Sequence, residues 1–131
     1  MPDEYDKAHY NIYSIAFDAA TMSFGDTLHC VYDAASLGLS ASFPRVSPDG
    51  RFLAFTRRDD GLYTRLYISH IDGDGNASKP FMLPQKDPAR YYKELMYSYN
   101  LPQFMSGRVE ADKRKIADEM RNSAGVDVGL R

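Results

Sequence analysis

The chain has 131 residues, 44% hydrophobic and 13% aromatic, which is too apolar for a disordered segment and enough for one domain with a modest core. Its formal net charge is −2 with Lys and Arg scattered, so it lacks the concentrated basic face that a nucleic-acid backbone binder needs, and nucleic acid is not an expected partner. No run of about 18 apolar residues occurs, so no membrane span is expected.

The polar, acidic N-terminus is not followed by the apolar stretch of a signal peptide. The sequence is therefore read either as cytosolic or as part of a longer exported precursor. Ten Tyr and seven Phe with no Trp suit half-buried pleated surfaces and bias the chain toward β structure.

Residues 10–18 place Tyr13, Ile15 and Phe17 on one face at period two, the signature of a strand. A loop is expected over 19–25 and a second strand over about 26–32, giving a hairpin with a long connection. Cys30, the single cysteine, lies in this second strand and reads as a buried, inert thiol. Residues 33–38 suit one short helical turn stopped by Gly38.

The most informative stretch is 42–56. An extended arm runs into the tight turn Ser47-Pro48-Asp49-Gly50, and a strand follows with Phe52, Leu53 and Phe55. Pro48 presets the backbone angle of the second turn position, and Gly50 accepts a positive φ. Arg57, Arg58, Asp59, Asp60 and Gly61 read as a solvated charged turn with mutual pairing. Residues 62–71 read as a strand with Tyr63, Arg65, Tyr67 and Ser69 on one side and Leu62, Thr64, Leu66, Ile68 and His70 on the other. A turn carrying Gly73 and Gly75 follows, and 78–83 completes that hairpin with Pro80 at an edge.

After residue 84 the character changes. Asp87 is placed as an N-cap with Pro88 at the first helical position, and 89–97 has helical spacing at Tyr92, Leu95 and Met96. Residues 98–105 are irregular. Residues 112–122 read as a second helix, with Glu110 and Asp112 near its start, Ile116 and Met120 on one face, and Gly125 as its stop.

The segments 13–18, 42–56, 57–68 and 79–88, continued by 97–102, resemble a bacterial TolB-type, WD40-like β-propeller protein, over roughly residues 11–110. The Ser47-Pro48-Asp49-Gly50-Arg51 core identifies the propeller class alone. Residues 79–88 are more particular and resemble the closing portion of large exported proteins of this kind. Similar repeats carry about four strands in roughly 40–45 residues. Here Thr56 runs straight into Arg57, as if one blade were missing.

The resemblance implies a mainly β chain of antiparallel meander sheets, an incomplete propeller of about two blades with a C-terminal helical tail. Its expected parts are an N-terminal tail (1–9), propeller-like blades (10–83), and an irregular segment with a helical tail packing on the sheets (84–131). It also implies a non-catalytic binding or scaffold module, periplasmic or cell-surface associated, that recognises protein or glycan or associates with itself. The alternatives are an accessory propeller fragment of a hydrolase or peptidase, or a truncated remnant without independent function.

Motifs for chemistry are sparse. Asp72, Asp74 and Asn76 offer oxygens at alternate positions, but the sixth and twelfth positions of a calcium loop fall on Ala77 and Leu83, so turn chemistry is the simpler account. His9, His29 and His70 lie in separate segments with no Gly-x-Ser-x-Gly elbow, and no Cys/His pair has zinc spacing. No catalytic residue, metal or cofactor is expected. Tyr91, Tyr92, Tyr97, Tyr99 and Phe104 form a candidate interaction surface, because tyrosine buries a ring while keeping a wet polar tip. The competing account is that these rings pack the tail across a sheet.

Overall fold

A computed structural model describes residues 7–59, 61, 63–108 and 110–122. It is mainly β, with two antiparallel sheets and a small helical tail. Strands β1 (Ile12–Asp18) and β2 (Ser23–Tyr32) form a two-stranded ribbon. Strands β3 (Ser40–Val46), β4 (Phe52–Arg58), β5 (Arg65–His70) and β6 (Phe81–Met82) form a four-stranded meander in chain order.

The turn between β3 and β4 forms as its residues dictate. Gly50 takes φ +73° and its N–H donates to the Ser47 carbonyl at 2.9 Å. The Ser47 hydroxyl donates to the Asp49 carboxylate at 2.5 Å and accepts from the Phe52 N–H at 2.9 Å. Opposite Thr56 and Ala54, β3 advances from Ser42 to Arg45, one residue more than β4. This bulge gives Pro44, which has no N–H to contribute, a place outside the regular ladder.

The turn between β5 and β6 closes on Gly75 at φ +84°. The Asp72 carboxylate accepts from the N–H groups of Asp74 (3.0 Å) and Asn76 (2.8 Å). These bonds, led by Asn76, hold its pKa below the ordinary carboxylate value. Gly61 also has positive φ, +76°, whereas Gly73 does not. Asp60, expected beside Gly61, lies outside the described residues.

The core gathers on one face of the meander. Phe55, Leu53, Tyr67, Ala41, Ala34 and Ile12 are all buried, and Val31 and Tyr32 pack against them. Phe55 stacks on Tyr67 at 6.1 Å and tilts against Tyr32 at 5.1 Å. Only the base of the β1–β2 ribbon joins this core. At the outer side of β3, the Ala41 N–H donates to the Tyr10 carbonyl at 2.9 Å, which ties the start of the chain to that edge.

Several sequence expectations are corrected. Ser23, Phe24 and Gly25 belong to β2, so the ribbon connection spans only 19–22. Cys30 is exposed rather than buried, because among the described residues no second layer covers the ribbon beyond Ile12. The closing strand over 78–83 shrinks to Phe81–Met82, since Pro80 cannot donate to a ladder.

The Asp87 cap and Pro88 start helix α1 as expected, with Asp87 accepting from the Arg90 N–H at 3.2 Å. The helix spans Pro88–Lys93 and stops short of 97. Burial of Leu95 and the hydrogen bonds of Ser98 and Tyr99 to Thr64 draw the following chain off the helical path. Helix α2 (Lys113–Asn122) begins after Asp112, whose carboxylate accepts from the Arg114 N–H at 2.9 Å. Its Ile116 is 47% exposed, so that part of its apolar face is largely open to solvent. The Met120 side chain and the Gly125 stop fall outside the described residues.

Candidate functional site

Three surface regions carry the candidate chemistry. The first is the face of the β1–β2 ribbon. The register sets Tyr13 opposite Cys30, Ile15 opposite Leu28 and Phe17 opposite Phe24, and directly opposed residues share a face. Tyr13, Ile15, Phe17, Phe24 and Leu28 are each at least 40% exposed. Phe17 and Phe24 tilt together at 5.0 Å, the ring contact within this face. At its foot an apolar cleft of about 380 Å³ opens between the ribbon and the meander, lined by Ile12, Val31, Pro44, Val46, Leu53 and Ile71 among others. The period-two pattern of Tyr13, Ile15 and Phe17 was readable in the sequence; that this face meets no layer among the described residues was not.

The second region is the tyrosine surface. The structure brings Tyr91, Tyr97 and Tyr99 together through their hydroxyls. Tyr91 and Tyr97 are 2.7 Å apart, and Tyr91 also hydrogen-bonds Tyr99. The hydrogen bond with Tyr91 raises the Tyr97 pKa above the ordinary phenol value. The Tyr92 ring meets Tyr91 edge-on at 5.2 Å, while its hydroxyl donates to the Leu83 carbonyl at 3.0 Å and its ring lies 5.0 Å from the Arg65 guanidinium. Phe104 is half-buried and joins neither group by a ring contact among the described residues. The Thr64 hydroxyl donates to the Tyr99 carbonyl at 2.6 Å, and the Tyr99 N–H donates to the Thr64 carbonyl at 3.2 Å. These rings therefore combine docking of the tail with a surface of phenol hydroxyls.

The third region replaces the solvated charged turn expected over 57–61. Arg57 and Arg58 belong to β4, which carries Arg57 inward over the core face. Its Nε donates to Asp59 at 2.5 Å and Nη2 donates to the second carboxylate oxygen at 3.1 Å, a two-point pair whose side chains are only 14% and 21% exposed. The guanidinium lies 3.8 Å from the Tyr67 ring centroid, and its Nη1 donates to the Tyr32 hydroxyl at 2.8 Å. The Tyr67 hydroxyl donates to Asp59.

Burial would raise the Asp59 pKa, but hydrogen bonds from Arg57 and Tyr67, with the charges of Arg57 and Arg65, bring it below the usual carboxylate range. Burial and the Asp59 carboxylate push the Tyr67 phenol up to about 12. Sequence reasoning missed this network because its members come from β2, β4, the residue just past β4, and β5. The one available signal was Tyr67 alternating with Arg65 and Ser69 on the inward side of β5.

Among the described residues, no group of three or more His, Cys, Asp or Glu side chains is arranged to hold a metal ion. No described helix is long and apolar enough to cross a membrane. Comparison of the chain with protein-family models, with curated proteins and with solved structures returned no match.

Proposed function

We propose that the chain is a non-catalytic binding module, a piece of a TolB-type propeller-like sheet assembly, that docks through the exposed face of its β1–β2 ribbon onto a β-sheet of a protein partner. One observation carries this reading: the ribbon pairs Tyr13 and Ile15 with Cys30 and Leu28 and, past a register shift, Phe17 with Phe24, and these apolar side chains are left exposed among the described residues. A two-stranded ribbon is marginal in water alone, and a contiguous apolar patch on a folded protein marks a contact surface. Sheets in stacked β architectures satisfy such faces by packing side by side at about 10 Å. The four-stranded meander in chain order is the unit such stacking uses. An exported or surface-attached setting belongs to the same reading and rests on the resemblance of the turn and closing segments.

A second copy is the partner immediately at hand for a test. Light scattering coupled to size exclusion at micromolar concentration should report association of the wild-type chain. The double variant Ile15→Asp, Leu28→Asp should elute as a folded monomer with an unchanged far-UV spectrum. A wild-type chain that stays monomeric, binds no apolar dye and shows no difference from the double variant would end this reading.

A further inference from the structure

An open cavity of about 430 Å³ lies beside the Arg57 network, lined by Tyr32, Leu37, Arg57, Ala77, Ser78, Lys79 and Pro80. Its polar groups are biased toward donation. The Ser78 hydroxyl oxygen already accepts the His70 N–H at 3.0 Å, and the Tyr32 hydroxyl oxygen already accepts from Arg57 at 2.8 Å. Each hydroxyl therefore has its own hydrogen left to give, with no acceptor for it among the described residues. Arg57 uses three of its five N–H groups on Asp59 and Tyr32, and a guanidinium has no acceptor. Lys79 makes no ion pair among the described residues and brings three more donors. Leu37, Ala77 and Pro80 give the cavity apolar walls.

We propose that this cavity binds a carboxylate carried on a small organic body, either a free short-chain acid or the C-terminus of a peptide. Hydroxyl and cationic donors converging on one space fit an anionic acceptor, and charge-assisted bonds are the strong ones. Asp59 offsets the charge of Arg57, so Lys79 is left as the uncompensated cation among the described lining residues. That balance fits a monoanion better than a dianionic phosphate. The volume lies in the lower part of the range for ligand pockets, roughly 300–1,000 Å³, so the acid is small.

The site lies apart from the ribbon face and stands whether or not that face docks. The test is titration of the full chain, followed by amide NMR, with N-acetylalanine, N-acetylalaninamide, acetate and inorganic phosphate. N-acetylalanine should bind saturably and move the signals of Tyr32, Ser78 and Lys79, with the amide weaker by roughly tenfold or more, as loss of a charge-assisted contact requires. Acetate binding as tightly as N-acetylalanine would assign the site to free acids, and weaker acetate would assign it to peptide ends. Lys79→Glu, at an exposed position, should abolish binding while the melting temperature stays unchanged. Equal binding of acid and amide, tighter binding of phosphate, no saturation with any acid, or an unaffected Lys79→Glu variant would each overturn the proposal.

Discussion

Replacing Asp59 by Asn tests the half-buried network directly. The substitution keeps the shape and removes the charge that balances Arg57, and it places an amide where the Arg57 and Tyr67 donors both need an acceptor. Removing one partner of a buried pair costs about 3–5 kcal/mol, and an exposed pair is worth about 0.2–1 kcal/mol. At 14% and 21% side-chain exposure the pair lies nearer the buried limit. A loss of about 2–3 kcal/mol is therefore expected at neutral pH. With a urea slope of about 1–3 kcal/mol per M, the unfolding midpoint should fall by roughly 0.7–3 M.

The pH dependence has a definite sign. Burial opposes ionisation of Asp59, but its hydrogen bonds and neighbouring cations win and place the folded pKa below the unfolded one. The stabilisation is thus complete above the unfolded carboxylate value, about 3.9, and is lost as pH falls through the folded value. The gap between wild type and variant should close in acid. A double variant, Arg57→Met with Asp59→Leu, should recover much of the loss, because well-packed apolar groups often replace a buried pair without cost. A single variant within about 0.5 kcal/mol of wild type at pH 7, or a gap that does not shrink in acid, would refute the reasoning.

Three further outcomes are expected. Gly75→Ala should destabilise by about 1–2 kcal/mol, since a Cβ there must adopt φ +84°, whereas Gly73→Ala should stay within about 0.5 kcal/mol; paired urea curves check the contrast. In the monomeric Ile15→Asp, Leu28→Asp variant, Cys30, exposed on the ribbon, should react with a thiol reagent under native conditions at close to the rate seen in urea, and strong native protection of that monomer would contradict the fold there. Phe55→Ala should cost about 3–5 kcal/mol by thermal or urea unfolding, because the ring is fully buried between Tyr32 and Tyr67.

What could be read from the sequence was local. Ser47, Pro48, Asp49 and Gly50 specify their turn through backbone angles and short-range hydrogen bonds. Asp87 and Pro88 specify a helix start, and alternation along 62–71 specifies an inward face carrying Tyr67 and Ser69. The mainly β class follows from these pieces together.

Long-range contacts could not be read this way. Arg57 and Asp59 look like a wet turn until Tyr32 and Tyr67 arrive from other strands and remove the water. Helix α1 stops at Lys93 because Thr64, some thirty residues earlier, takes the hydrogen bonds of Ser98 and Tyr99. Cys30 carries the same strand signature buried or exposed, and only what packs over the ribbon, no layer among the described residues, decides which. Turns and caps are settled by forces acting within a few residues. Burial is settled by which surfaces meet, and a pattern of side chains names the face that seeks cover without naming what covers it.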